Sequence, residues 1–140
     1  MGNKTEYGIF ILRIALGSVM IAHSFYLKMM VFTLPGTAKF FGSLGLPEFL
    51  AYLVFSIECG AGLALVLGMY SRQAALLLIP VLLGATWAHW PSGWLFSNAN
   101  GGWEYPLFLT VVAAAQVFLG DGAYALKSLV GRQQGRPVAT

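Results

Sequence analysis

An all-α integral membrane four-helix bundle, with a short interfacial segment in its first outer loop, is the fold this sequence predicts, and three observations predict it. The chain is 58% apolar and only 9% charged, against roughly 25% charged in a soluble domain, so a water-facing surface cannot be made from it. The apolar residues gather into four runs, 9–27, 49–69, 74–90 and 105–119, each near the length that spans a hydrocarbon core of about 30 Å at about 1.5 Å per residue. The runs are continuously apolar rather than alternating, and peptide groups without water must pair inside their own helix. Residues 1–122 thus read as one four-crossing domain and 123–140 as a flexible tail.

The first crossing is expected at about 7–28, and Arg13 inside it argues against a signal-peptide apolar region. Pro35, Gly36, Gly42, Gly45 and Pro47 then break up the longest loop. Within it, residues 37–44 set Lys39 among Phe40, Phe41 and Leu44, the pattern of a short helix lying along the membrane. Pro47 and Glu48 suit the start of a second crossing at 48–69, because proline lacks only an N–H that the first turn cannot use and a carboxylate favours the positive end of the helix. Gly60, Gly62, Ala64 and Gly68 keep this helix slim enough for close packing. The third crossing, 73–90, contains Pro80, where a kink is expected, and the fourth covers 104–120.

Lys4, Arg72, Lys127, Arg132 and Arg136 fall on one face of such a bundle, and the third loop has no Lys or Arg. By the positive-inside rule both termini are expected in the cytoplasm, with the protein in the plasma (inner) membrane. Trp87, Trp90, Trp94 and Trp103 flank or occupy the third loop, as an aromatic belt at headgroup level or as a wall for a ligand. The single cysteine, Cys59, excludes an intramolecular disulfide and reads as packing.

Arg13, His23, Glu58, His89 and Glu104 are the residues a bilayer should exclude. Four of them are expected to line one outward cleft, with Glu58 at its floor and Arg13 beneath, close enough to pair with it. That pair either locks the first two crossings together or adds proton exchange at Glu58. The histidines can donate, accept or ligate, but scattered over several helices without a short ligand signature they do not amount to a metal site. Glu104 has an alternative role as a helix-start carboxylate, and Lys28 is expected to snorkel to the interface. The chain shows no nucleophile-and-base pair, phosphate loop or dinucleotide fingerprint, and its basic charge of +3 is read as membrane topology, not nucleic-acid binding. A narrow pocket with protonatable groups and an aromatic wall of Trp87, Trp90 and Trp103 suits a quinone head group.

Leu12-Arg13-Ile14-Ala15-Leu16-Gly17, Ile21-Ala22-His23, Gly45-Leu46-Pro47 with Ala51-Tyr52-Leu53, Glu58, Gly62-Leu63-Ala64-Leu65-Val66-Leu67-Gly68, Arg72 and Asn100-Gly101-Gly102-Trp103-Glu104 together resemble the DoxX family. The order and spacing of the pieces carry the resemblance, up to about Gly122. It implies a four-helix inner-membrane protein, linked through its namesake and the related DoxD proteins to quinone-coupled oxidation of reduced sulfur, and to soluble redox partners. Carried over by position, Arg13, His23, Glu58, Arg72 and Glu104 are the recurring polar residues. One departure stands out: the pattern has a glycine after the histidine and a lysine four residues beyond it, whereas Ser24 follows here and Lys28 is five along.

The expected role is therefore a quinone-associated or redox-associated accessory subunit, partnering a soluble or peripheral oxidoreductase and carrying no covalent cofactor. A small-molecule transporter or permeability factor, which four helices would need a homo-oligomer to build, and a non-catalytic anchor or assembly factor are the alternatives.

Overall fold

In the computed structural model, which describes residues 3–128, the chain is all-α, with four long helices and no strand among the described residues. Helix α1 spans Asn3–Ile21 and continues without interruption as a π-helix over Ala22–Val31. Helix α2 covers Leu34–Ser43, α3 Phe49–Leu67, α4 Ser71–His89 and α5 Glu104–Leu119. The first crossing is longer than the sequence suggested, at 29 residues including its π-helical part.

Three of these helices, Asn3–Val31, Phe49–Leu67 and the α4 stretch Ser71–Ser92, are long and apolar enough to cross a bilayer. The fourth, α5, is apolar but has 16 residues, about 24 Å at the helical rise. It runs back along α4: Trp90 and Trp103 stack at one end of the pair, and Arg72 lies over Gly120 at the other. The surface is what lipid requires. Ile11, Leu63, Leu76, Phe108 and Phe118 face outward, whereas Leu16, Met20, Leu65, Leu78, Leu82, Leu109 and Ala113 form the core. So many exposed large apolar side chains have no place in water, and this is a multi-pass membrane protein. Pro80 lies inside α4, on an exposed face, and the helix continues through it.

The segment expected to lie along the membrane forms one helix, α2, because Thr33 accepts the Gly36 N–H and Pro35 occupies its first turn. It buries Thr37 and Ala38 while Lys39 and Phe40 stay exposed. At the far end of α3, Gly68 takes φ +70°, so that its own N–H reaches Leu65 O and the Met69 N–H reaches Ala64 O. This left-handed turn stops α3 and starts the short link to α4.

Helices α1 and α3 meet through glycine. A Cβ on Gly17 would stand 2.8 Å from Gly62 O and 2.9 Å from Val66 Cγ2; one on Gly62 would stand 3.0 Å from Gly17 O. Lipid gives helices no hydrophobic reason to associate, so this backbone-to-backbone approach provides the packing. Gly17→Ala is expected to cost about 1–3 kcal/mol by overpacking, read as a lower unfolding temperature in mild detergent. Gly60→Ala is the control: nothing lies within 4 Å of its added carbon, so its stability should not fall. Equal losses in both variants would refute the glycine contact.

Candidate functional site: an ion pair inside the bundle

The register of α1 against α3 decides which polar groups can meet. Gly17 faces Gly62, so four residues before Gly17 brings Arg13 level with Val66, and four before Gly62 brings Glu58 level with Ile21. Side chains also lean toward the N-terminus of their helix. Arg13 therefore reaches away from Glu58, while Lys28 reaches back toward it. The Arg13–Glu58 pair expected from sequence does not form, and Lys28 does not snorkel: its Nζ donates to Glu58 Oε2 at 2.6 Å. The Lys28 side chain is 18% exposed and that of Glu58 7%.

Lys28 sits in the π-helical stretch, where the Phe32 N–H reaches back five residues to Leu27 O. A π turn holds more residues than an α turn. The additional residue between His23 and Lys28 is thus taken up by a wider turn, and the ammonium still faces α3. Thr37 of α2 touches the same turn, its hydroxyl donating to Thr33 O at 2.9 Å and standing 3.5 Å from Lys28 O.

Ser24 and Cys59 meet beside the pair, and His23 turns toward α5. Ser24 is fully buried and donates to Met20 O and Ile21 O, while Cys59 Sγ donates to Ser24 Oγ at 3.2 Å. His23 Nδ1 lies 3.0 Å from Val19 O. A carbonyl only accepts, so Nδ1 carries the proton and Nε2 of the neutral ring is left as an acceptor. The imidazole stacks on Tyr105 of α5, centroids 6.0 Å apart.

Arg13 does something else. It is fully buried and donates through Nη1 to Leu65 O (2.5 Å) and Val66 O (3.0 Å), and through Nη2 to Ala123 O (3.1 Å). The guanidinium thus supplies donors to the last carbonyls of α3, at the negative end of that helix, and ties them to the chain after α5. Gly68 packs directly beneath it. Ala123 N–H bonds Glu6 O, Tyr124 packs on Tyr7 and Phe10, and Ala125 is buried. The first residues of the expected tail are therefore docked, and 129–140 lie outside the described residues. Asp121, which with Gly122 ends the fourth apolar run, accepts the Ser71 N–H at the start of α4, a favourable place for a carboxylate.

His89 and Glu104 tie down the third loop. His89 Nδ1 donates to Asn100 O at 3.0 Å, and Glu104 Oε1 accepts the Phe96 N–H at 2.9 Å. Trp103 stacks on Trp90, and Trp94 meets Trp103 edge-on, both at 4.5 Å. Of the three tryptophans expected to form a wall, Trp90 and Trp103 meet, Trp94 joins them, and among the described residues no ring contact brings Trp87 to the group. No hydrogen bond or ion pair joins any two of Arg13, His23, Glu58, His89 and Glu104 among the described residues. Arg13 lies at the α3–α4 turn, Glu58 meets Lys28 between α1 and α3, His23 meets Tyr105 at the start of α5, and His89 and Glu104 hold the third loop. Among the described residues, no group of three or more His, Cys, Asp or Glu is placed to hold a metal ion.

Known proteins agree with this frame. A protein of Bacillus subtilis (strain 168) named "Putative oxidoreductase CatD" is 30% identical over 115 residues, 82% of each chain. No solved structure matches. The sequence model of the DoxX family matches residues 8–90, the stretch that carries Arg13, His23, Lys28, Glu58 and His89. This chain belongs to the DoxX family.

Proposed function

We propose that the protein is an accessory membrane subunit of an oxidoreductase, with a quinone-type head group binding beside Lys28, Glu58 and His23. The observation that carries this reading is the Lys28–Glu58 pair, a charged couple kept inside a bundle whose surroundings are apolar. Ionisable groups at membrane depth are expensive and cluster where protons or substrates are handled. The word oxidoreductase in the name of the Bacillus subtilis relative points the same way.

The donor set fits such a group. Quinone oxygens are acceptors, and Lys28 Nζ has three N–H bonds, one of which goes to Glu58. Glu58 holds that ammonium in place and balances its charge. His23 Nε2, left as an acceptor, can take a proton from a hydroxyl of the reduced form. A bound quinone would supply reversible two-electron, two-proton chemistry, with electrons exchanged through a soluble or peripheral partner enzyme. In this reading the bundle lies in the plasma membrane with both termini cytoplasmic and α5 as a fourth crossing, which labelling of each terminus with an impermeant reagent checks.

Titration of the purified protein in mild detergent with a short-chain benzoquinone should give saturable binding. Lys28→Met should weaken it about tenfold or more, the loss of one charge-assisted hydrogen bond of about 1.5–3 kcal/mol. Non-saturable partitioning, equal in wild type and variant, would sink the proposal.

A further inference from the structure

The third loop and the first two turns of α5 enclose an open groove of about 440 Å³. Trp94, Phe96, Glu104 and Tyr105 form its rim, and Phe108 and Val111 continue it along α5. Residues 104, 108 and 111 follow helical spacing, so the groove descends about 10 Å along the helix. Phe108 and Val111 are 62% and 61% exposed, on a helix whose exposed face meets lipid.

The rim carries one charge. Glu104 Oε1 is fixed by the Phe96 N–H, and no other protein donor reaches this carboxylate among the described residues. Residues 90–103 contain no Lys or Arg to balance it. Around it stand the rings of Trp94 and Tyr105, with Trp94 braced edge-on by Trp103, which Trp90 backs in turn. A carboxylate among aromatic faces recognises an organic cation, through its charge and through the negative faces of the rings.

We infer that this groove binds a phospholipid with an ammonium-bearing head group, the ammonium at Glu104 and one acyl chain along Phe108 and Val111. Charge complementarity selects the occupant. Among the described residues no cation pairs with Glu104, an anionic head group would meet like charge there, and the apolar floor suits an acyl chain. Neither Lys28 nor Glu58 lines the groove, though its rim residue Tyr105 stacks on His23, and the inference does not rest on the quinone reading.

Native mass spectrometry of the delipidated protein, titrated with dioleoyl phosphatidylethanolamine or dioleoyl phosphatidylglycerol, tests it. The chain carries a net charge of +3, so unspecific attraction would favour the anionic lipid. The inference requires the reverse for the first bound lipid, a preference for the ethanolamine of about fivefold to tenfold, lost in Glu104→Gln. Glutamine keeps an acceptor for Phe96 N–H, so the loop should hold. A second variant, Val111→Trp, fills the groove and should remove the tightest lipid whatever its head group. Equal binding of the two lipids, a preference for phosphatidylglycerol, or an unchanged preference in Glu104→Gln would overturn the inference.

Discussion

Arg13→Met should be among the most destabilising single changes in this protein, lowering stability in detergent by about 3–5 kcal/mol. The side chain makes three hydrogen bonds to carbonyls: Leu65, Val66 and Ala123. Methionine fills much of the same volume but donates nothing, so the end of α3 and the segment after α5 both lose their donor. Bonds from a charged donor are worth about 1.5–3 kcal/mol each, and a buried carbonyl without a partner is penalised further. Arg13→Lys should fall between, because an ammonium lacks the planar fork that reaches α3 and Ala123 together. Thermal unfolding gives the stability, and limited proteolysis after residue 122 reports release of the docked segment. A companion variant separates this role from ion pairing. Glu58→Gln should not rescue Arg13→Met, since Glu58 is paired with Lys28 in another layer. Rescue, or an unchanged unfolding temperature in Arg13→Met, would contradict the structure.

Helices were legible from sequence because the bilayer leaves so little choice: an apolar run of that length has one way to satisfy its backbone. α3, α4 and α5 begin and end within two residues of the expected bounds. The α2 helix was legible too, from one lysine among aromatics between glycine and proline breaks. The partners of the charges were not. Arg13 and Glu58 looked close because Arg13, in the inner half of the first crossing, has the reach to approach a mid-helix Glu58, and residue order alone does not reveal inter-helix register. The Gly17–Gly62 contact fixes that register, and the lean of side chains toward the helix N-terminus then separates Arg13 from Glu58 and turns Lys28 inward. That second rule was available from sequence and favours Lys28. The π-helical turn had no composition signal of its own; the five-residue interval from His23 to Lys28 was its trace. The resemblance drawn from the sequence, by contrast, rested on ordered motifs across the chain, and the DoxX family match over residues 8–90 bears it out.

The Lys28–Glu58 pair should show its nature in a double-mutant cycle. Lys28→Met leaves the Glu58 carboxylate, 7% exposed, without a cation, and breaking a buried pair in this way costs about 3–5 kcal/mol. Glu58→Gln should cost less. Lys28 is 18% exposed and near the end of its helix, so its flexible stem can carry the ammonium outward once the carboxylate is gone. The double variant removes both charges and should regain most of what Lys28→Met loses, because a neutral pair is cheap in an apolar interior. Unfolding of the four proteins in one detergent gives the coupling free energy directly; additive losses would mean that the ion pair does not exist as described. The double variant also decides between brace and site. If the pair only holds α1 against α3, a stable neutral replacement should bind a short-chain quinone as well as the wild type does. Under the proposed function it stays folded and loses that binding, since neither methionine nor glutamine restores an ammonium held at a fixed point inside the membrane.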